Sequence, residues 1–335
     1  MSVTLYDPVS DLQAHGTWTI LHFVAGLGNP MDYRSQTIDA FLLEDLSEIL
    51  RLAIREDLDR SVDLTTMAIV PPGVSGSAAL ISRSHGVAAG IDLIDEMIAE
   101  LDAKIQWDQR VGDGEMIEPG QTLSVLSGDA RDLLTCERTI LNVICRLSGI
   151  ASLTKRYVDA VQGTKARVYD TRKTTPGWRR LEKYAVRCGG GHNHRLGLYD
   201  GILIKDNHLA CRAAANGELL DAGQSVRLAK AFVESGAVKF QQPPMIEVEI
   251  DRIGQLESAL AAGPNIVLLD NMNCDLLRQC VAIRDKTAPS VELEASGGVN
   301  LSTIGSIAAT GVDRISVGAL THSASVHDIG LDWKI

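Results

Sequence analysis

The stretch VYDTRKTTPGWRRLEKYAVRCGGGHNHR, residues 168–195, concentrates positive charge in a chain that is otherwise acidic. Between Lys165 and His208 there are ten lysine or arginine residues and only four acidic ones, whereas the 335-residue chain carries a formal net charge of −11. A solvated surface is seldom so one-sided, but a pocket for a strongly anionic ligand often is. The segment therefore predicts an anion-binding site beside a short β-like run.

A regular alternation of apolar strands and helical stretches surrounds this segment. The strand candidates are residues 166–170, 201–206, 245–250, 265–270, 291–296 and 314–319, and helical spacing is seen for example at 225–235, 253–262 and 301–310. Strands that alternate with helices indicate a parallel sheet in an α/β protein. Ligand-type residues at nearly every strand end favour a (β/α) barrel over an open doubly wound sheet.

The residues before the barrel predict a small β-rich domain between helices. Residues 41–57 and 132–161 have apolar side chains at helical spacing, and short β-like pieces between 76 and 126 surround one helix at 92–101. The residues up to about position 39 have no clear periodicity and predict an N-terminal extension.

Composition excludes several functional classes. The pI near 5.2 argues against nucleic-acid and membrane-surface binding. Six cysteines without a CxxC pair or zinc spacing are typical of reduced thiols in the cytoplasm. The apolar stretch at 20–27 is too short for a signal sequence or a membrane span. We expect a cytoplasmic protein whose partners are small molecules, with no nucleic acid and no membrane.

Polar residues follow the strand candidates where a barrel builds its active site. They are Asp170, Thr171, Arg172 and Lys173, then Lys205 to Asn207, then Glu249, then Asp270 and Asn271, then Ser296 to Gly298, then Gly318. A single strand-end aspartate is often only a helix cap. Taken together, the residues predict a polar mouth above an apolar barrel.

The glycines in EASGGVN and ISVGALT, after the last two strands, have two interpretations. Backbone N–H groups freed by glycine near a helix N-terminus suit phosphate, whereas glycine can simply permit a tight turn. We favour phosphate, because late barrel strands usually bind it.

Glu249 and Asp270 also have more than one interpretation. Glu247 and Glu249 share one strand face, and Glu249 is nearer the strand end. Glu249 and Asp270 suit Mg²⁺ or a developing positive charge on a sugar carbon, or each pairs with a nearby lysine such as Lys205.

The cations of the opening segment suit a ligand with carboxylates and phosphates. Arg172, Lys173, Arg195 and Lys205 lie on consecutive segments, and His194 is a candidate donor to an anion. His192 and His194 have no third ligand nearby, which argues against zinc. Four more cations share a helix, and solvated surface is the favoured interpretation for them: Arg179, Arg180, Lys183 and Arg187.

These motifs resemble the quinolinate phosphoribosyltransferase family, the carboxylating nicotinate-nucleotide pyrophosphorylases. The residues that carry the resemblance are TCERTILNVICRLSGIAS, the block from Asp170 to His208, IEVE, LLDNM, LEASGGVN and ISVGALTHS. It extends from about Phe41 to the end. It implies a type II phosphoribosyltransferase fold, with an N-terminal α/β sandwich, an incomplete α/β barrel and a homodimer. The implied reaction joins quinolinate to 5-phosphoribosyl-1-pyrophosphate with Mg²⁺, giving nicotinate mononucleotide, pyrophosphate and CO₂.

The resemblance also implies domain bounds. We expect an extension over 1–40, the sandwich over 41–140, the barrel over 141–320, and a segment over 321–335 that returns to the first domain. The segment EDLDRSVDLTT departs from the family, because Asp59 and Val62 stand where glycines are usual.

Roles in the family carry over to matching positions. Arg138 is similar to the arginine that reaches the neighbouring subunit's site. The implied quinolinate ligands are Arg138, Thr171, Arg172, His194, Arg195 and Lys205, with Lys173 near the pyrophosphate-bearing substrate. Glu249 and Asp270 resemble the pair at the ribose and metal, and Lys173, Lys205, Glu249 and Asp270 are the implied catalytic residues. The implied phosphate-binding residues are Ser296, Gly297, Gly298, Val317, Gly318 and Ala319.

Two other functions are weighed against this one. A paralogous phosphoribosyltransferase acting on another aromatic carboxylate is the nearer alternative, and the intact HNHR and Lys205 count against it. A phosphosugar-binding protein without activity would be expected to have lost Glu249 or Asp270, and both are present.

Overall fold

The computed structural model describes residues 18–19, 32–217, 219–240 and 242–334. Most of the predicted extension over 1–40 lies outside these residues. The chain forms two compact units. Among the described residues, the parallel-sheet unit holds those up to Arg34 and those within 160–172 and 194–317, and the antiparallel-sheet unit holds those within 35–159, 173–193 and 318–334. The implied domain bounds stay predictions, because compactness alone does not define a domain.

Strands and helices follow one another closely along the chain. The strands are β1 (Trp18–Thr19), β2 (Ser75–Ser82), β3 (Gly86–Val87), β4 (Ile105–Gln109), β5 (Met116–Ile117), β6 (Thr122–Asp129), β7 (Arg167–Tyr169), β8 (Gly201–Ile204), β9 (Val238–Lys239), β10 (Met245–Ile250), β11 (Ile266–Asp270), β12 (Glu292–Ser296), β13 (Arg314–Ser316) and β14 (Ile329–Lys334). The helices are α1 (Ala40–Leu58), α2 (Leu64–Ile69), α3 (Ile94–Glu100), α4 (Ala130–Ala160), α5 (Arg179–Cys188), α6 (Asp206–Asn216), α7 (Ala222–Glu234), α8 (Leu256–Ala262), α9 (Cys274–Thr287), α10 (Ile304–Ala308) and α11 (Ala319–His322).

The parallel-sheet unit is built on a six-stranded sheet in the order β7-β13-β12-β11-β10-β8, and every pairing is parallel. The six strand candidates and the α/β class are thus confirmed. The strands are rich in Val, Ile and Leu because helices lie between them along the chain and both faces are covered. Because all six run the same way, their carboxyl ends meet at one edge.

The antiparallel-sheet unit has a four-stranded sheet in the order β14-β2-β6-β4. Three successive apolar residues of β2, Ala78, Ala79 and Leu80, are buried. β14 pairs antiparallel with β2 from Ile329 opposite Ser82 to Lys334 opposite Ser77, so the C-terminal segment joins the sheet that begins at residue 75. All six cysteines of the chain are free.

Two sequence expectations differ from the structure in detail. The helix expected over 301–310 is only α10, because the Asn300 side chain accepts from Ser302 N (2.9 Å) and forms a turn that competes with a helix. The turn at Asp59, where the resemblance implies glycine, has a φ of +50° and a ψ of −110°, a combination outside the usual left-handed helical region.

No helix in the described part of the chain is long and apolar enough to cross a membrane.

We expect Gly149→Ala to destabilise the protein, although alanine normally favours a helix. Gly149 lies inside α4, and a Cβ there would lie 2.0 Å from the carbonyl oxygen of Ser325. Separating α4 from this backbone costs about 2 kcal/mol in the free energy of unfolding, which urea titration measures. The control is Gly254→Ala, where a Cβ meets no atom within 4 Å. This control should be neutral or stabilising by up to about 1 kcal/mol. Equal effects of the two changes would contradict the packing argument.

Candidate active site

The carboxyl edge of the parallel sheet carries a mixed layer of charge. We call Lys205, Glu249, Asp270 and Ser296 the mouth layer. Asp270 pairs in register with Ser296, and Glu249 pairs with the residue two before Asp270, so the three side chains share one face of the sheet. Lys205 Nζ forms an ion pair with Glu249 Oε2, as one of the sequence interpretations expects. Asp270 Oδ2 accepts from Asn271 Nδ2 (2.8 Å).

A second charged layer lies deeper in the parallel-sheet unit. We call Tyr33, His194, Glu247, Glu294 and Arg314 the buried layer, because all five side chains are buried. Tyr33 Oη donates to Glu247 Oε2 (2.7 Å), and Arg314 Nε donates to Glu294 Oε2 (3.0 Å). The expectation of an apolar barrel below the mouth is therefore wrong. The charges are tolerated there because they are paired with one another.

His194 uses both of its ring nitrogens inside the fold. Nδ1 accepts from the backbone N–H of Arg195 (2.8 Å), so the remaining ring proton is assigned to Nε2. Nε2 lies 3.0 Å from Glu247 Oε2 and 3.5 Å from Glu294 Oε1. The anion that His194 faces here is thus the protein's own Glu247.

The pKa values of the two buried carboxylates shift in opposite directions. Burial would raise the pKa of Glu247, but the adjacent His194 ring and the hydrogen bonds from His194 and Tyr33 lower it below its usual range. Burial, and then repulsion from Glu247, raise the pKa of Glu294. Burial and the Glu247 charge raise the pKa of Tyr33 well above normal, so its hydroxyl stays a donor. The pKa of Glu247 is therefore the lower of the two.

Arg195 is the most enclosed of the lysines and arginines predicted to bind the quinolinate carboxylates. Its side chain is buried, and Nη1 donates to the Gly201 carbonyl (3.0 Å). Its Nε is buried without a hydrogen-bond partner among the described residues. Asp170, at the end of β7, is a structural anchor for this segment, because its Oδ1 accepts from the His194 backbone N–H (2.8 Å). Thr171 and Arg172 follow directly and are half-buried.

The predicted phosphate turn after β12 has a backbone that needs glycine. Gly297 and Gly298 have φ of +93° and +61°. A Cβ at Gly297 would also lie 2.2 Å from Asn271 Oδ1, whereas at Gly298 nothing lies within 4 Å. At the matching turn after β13, Val317 N donates to the Tyr169 carbonyl (2.8 Å).

Four predicted site residues belong to the antiparallel-sheet unit: Arg138, Lys173, Gly318 and Ala319. Lys173 is exposed, and its side chain passes close to Gly318, where a Cβ would lie 3.0 Å from Lys173 Cδ. Arg138 is exposed on α4, and Ala319 begins α11. The structure thus brings Lys173 and the Gly318 turn together.

The cations of α5 hold their own unit together. Arg180 pairs with Asp45 (3.3 Å), and Arg187 Nη1 donates to the Gly191 carbonyl (2.7 Å). Lys183 is fully buried, so the surface interpretation is wrong for this residue.

Both layers contain residue types that can bind a metal ion. In the described residues, the one group of three histidine or acidic side chains with close ligand atoms is His194, Glu247 and Glu294, whose atoms lie within 4.8 Å of one another. Tyr33 and Arg314 already bond this group, so we assign it to internal pairing. Glu249 and Asp270 offer the oxygen donors that Mg²⁺ prefers, and substrate or water oxygens would have to complete its shell.

Sequence reasoning missed Tyr33, Asp32, Glu294 and Arg314. A signal was present, since Glu292 and Glu294 occupy alternate positions in a strand that is otherwise apolar. Charged residues at period two in a buried strand indicate pairing across the interior.

Two family models match most of the chain. Residues 63–148 match "Quinolinate phosphoribosyl transferase, N-terminal domain", and residues 150–332 match "Quinolinate phosphoribosyl transferase, C-terminal domain". The chain is 45% identical over 289 residues to the carboxylating nicotinate-nucleotide pyrophosphorylase of Mycobacterium leprae, covering 85% of this chain and 96% of the relative. It is 40% identical over 287 residues to the probable Bacillus subtilis enzyme of that name, covering 86% and 93%.

Solved structures of nicotinate-nucleotide pyrophosphorylases are similar to this chain over most of its length. The nicotinate-nucleotide pyrophosphorylase from Francisella tularensis superposes with a TM-score of 0.79 at 33% identity, covering 90% of this chain and all of the other. The predicted type II phosphoribosyltransferase fold, with its two-domain α/β architecture, is confirmed. The chain belongs to the quinolinate phosphoribosyltransferase family.

Proposed function

We propose that this protein transfers the phosphoribosyl group of 5-phosphoribosyl-1-pyrophosphate to quinolinate. The products are nicotinate mononucleotide, pyrophosphate and CO₂, a step of NAD biosynthesis. The observation that carries the proposal is the mouth layer on a family scaffold: Lys205, Glu249 and Asp270 at the carboxyl edge of the parallel sheet, with the buried Arg195 in the same unit. The cytoplasmic location stays an expectation from the sequence.

Cationic side chains bind quinolinate. Arg172, Arg195 and Lys205 bind the two carboxylates, which a planar guanidinium can hold through two parallel hydrogen bonds. The buried Nε of Arg195 is a donor that a carboxylate oxygen would satisfy. His194 takes part by fixing the Arg195 backbone through its Nδ1. Together these residues orient the pyridine nitrogen toward ribose C1, which is the entropic part of catalysis.

The reaction breaks the bond from ribose C1 to pyrophosphate and forms a bond from C1 to the ring nitrogen. Positive charge develops on the ribose as pyrophosphate leaves, and Glu249 and Asp270 stabilise it. The same two carboxylates would hold Mg²⁺, which when bound neutralises charge on the departing pyrophosphate. Lys173 and the turns at Ser296–Gly298 and Val317–Ala319 bind the phosphates. The ring nitrogen is then cationic and stabilises electrostatically the electron pair left on C2 when CO₂ departs, and that pair takes up a proton from solvent in place of the carboxylate.

Product analysis tests this proposal. The purified protein is incubated with quinolinate, 5-phosphoribosyl-1-pyrophosphate and Mg²⁺. We expect nicotinate mononucleotide and CO₂ together, in equal amounts, and only with both substrates. Phosphoribosylation of a different aromatic carboxylate, with none of quinolinate, would support the paralogue instead. Binding of the phosphosugar without any turnover would overturn the enzymatic proposal.

The proposal includes a homodimer in which Arg138 completes the site of a second copy. Arg138 is exposed on α4, and α2 exposes the apolar side chains of Leu64, Met67 and Ile69, which favours an interface in the same unit.

Mixing two inactive variants tests the shared site. Arg138→Ala and Lys173→Ala should each be inactive alone and together regain about a quarter of wild-type activity, because half of randomly exchanged dimers hold one intact site. The matched control mixes Lys173→Ala with Lys205→Ala, two residues assigned to the same subunit, and should regain nothing. No recovery in the first mixture, after subunit exchange is verified, would overturn the shared site.

A further inference from the structure

Asp32 and Tyr33 close the amino-terminal end of the parallel sheet. The Tyr33 ring packs with Met245 and Ile266, and it lies so close to Gly201 that a Cβ there would be 2.8 Å from ring Cε1. These three residues lie in the first positions of β10, β11 and β8. Asp32 accepts from Tyr169 Oη (2.8 Å) and pairs with Arg314 (3.1 Å). The two residues thus form a plug at the end of the sheet opposite the mouth layer.

From this plug Tyr33 reaches the buried layer. Its hydroxyl donates to Glu247 Oε2 (2.7 Å), and its ring stacks on His194 with centroids 4.6 Å apart. Tyr33 therefore contacts both members of the pair formed by His194 Nε2 and Glu247 (3.0 Å). The stack on the His194 ring and the hydrogen bond to its carboxylate partner together restrict the rotation of that ring.

The His194 ring in turn fixes Arg195. Its Nδ1 accepts from the Arg195 backbone N–H (2.8 Å), and the Arg195 side chain is held by the Gly201 carbonyl at Nη1. The contacts Tyr33–Glu247, Glu247–His194 and His194–Arg195 form a continuous series. It ends at a buried arginine whose Nε has no partner among the described residues.

We propose that Tyr33 is a positioning residue, which orients quinolinate through Glu247, His194 and Arg195. The inference rests on the proposed function and adds to it. Tyr33 precedes the residues that match the family models, which begin at residue 63. A segment that precedes the family's common domains in the chain therefore orients the carboxylate-binding arginine from the amino-terminal end of the sheet.

The test compares Tyr33→Phe with Tyr169→Phe in steady-state kinetics. Tyr169→Phe is a matched control, because it also removes a buried tyrosine hydroxyl bonded to a carboxylate, that of Asp32, at the same end of the sheet. Tyr33→Phe keeps the stacked ring and removes only the donor to Glu247. We expect it to raise the KM for quinolinate about fivefold or more, with kcat and the KM for 5-phosphoribosyl-1-pyrophosphate within about twofold. Tyr169→Phe should leave kcat and both KM values within about twofold of the wild type. It should lower thermal stability about as much as Tyr33→Phe does.

A double variant checks the route. Glu247→Gln should raise the KM for quinolinate by itself, and adding Tyr33→Phe to it should raise that KM little further, because both changes interrupt the same series of contacts. Independent, multiplicative effects would overturn the route. The positioning role would be overturned if Tyr33→Phe left the KM for quinolinate unchanged, or if Tyr169→Phe raised that KM as much as Tyr33→Phe does. The proposed function would still stand in either case, provided that the wild type is active. A wild type that does not use quinolinate overturns both.

Discussion

Replacing Glu249 with glutamine is expected to lower kcat about a hundredfold to a thousandfold, the usual loss when one charge-stabilising group is removed from an active site. Under the proposed mechanism the negative charge of Glu249 acts on a ribose that becomes cationic only in the transition state, so kcat falls more than KM rises. Glutamine keeps an oxygen that can accept from Lys205, so the observed contact at the sheet edge is retained and only the charge is lost.

The control for this change is Asp251→Asn, two residues further along the chain. Asp251 is exposed and pairs only with the neighbouring Arg252 among the described side chains, so its loss should leave kcat within about twofold. Steady-state rates at saturating quinolinate, 5-phosphoribosyl-1-pyrophosphate and Mg²⁺ measure kcat for both variants. A Glu249→Gln enzyme with wild-type kcat would remove Glu249 from the catalytic residues.

Arg314→Met is expected to lower the free energy of unfolding by about 3–5 kcal/mol, the usual cost of leaving a buried charge unpaired. The Arg314 side chain is fully buried and pairs with Asp32 (3.1 Å), Glu292 (3.0 Å) and Glu294 (3.0 Å). It also lies 3.7 Å from the centre of the Tyr169 ring. Methionine fills part of the volume but leaves Glu294 buried beside Glu247 without a cation. Urea unfolding at pH 8 measures the loss.

The same variant should have a distinct pH dependence. Burial and Glu247 already raise the pKa of Glu294, and Arg314 opposes that rise, so its removal raises the pKa further. A carboxyl whose folded pKa is raised destabilises the fold at high pH, and the penalty disappears as the pH falls toward its unfolded pKa of about 4.3. The difference in stability between Arg314→Met and the wild type should therefore be smaller at pH 5.5 than at pH 8.

An exposed arginine provides the comparison. Arg252→Met breaks a pair whose arginine side chain is 78% exposed, and we expect a change below about 0.5 kcal/mol at either pH. A pH-independent loss in Arg314→Met would mean that lost packing, and not the charge on Glu294, explains its instability.

Much of the parallel sheet was accessible from local patterns. Each of its six strands contains Val, Ile or Leu, and polar residues directly follow four of them, so the strands were recognised. Because parallel strands end at one edge, the placing of Lys205, Glu249 and Asp270 in one layer followed from their positions in the chain. The identity of the charged groups in the buried layer did not follow from local sequence patterns.

The buried layer depends on tertiary structure, because its contacts join distant parts of the chain. Tyr33 and Glu247 are 214 residues apart, and Asp32 and Arg314 are 282 residues apart. No local spacing encodes such pairs, and strand periodicity alone leaves a buried Glu247 looking like a second residue of the mouth. The sequence by itself determined which strands form and which residues stand at their ends, since both are set by neighbours along the chain. Only the packed sheet decided that Arg314 neutralises Glu294 and that Tyr33 fixes Glu247 and His194, because a buried charge is stable only where its partner arrives in three dimensions.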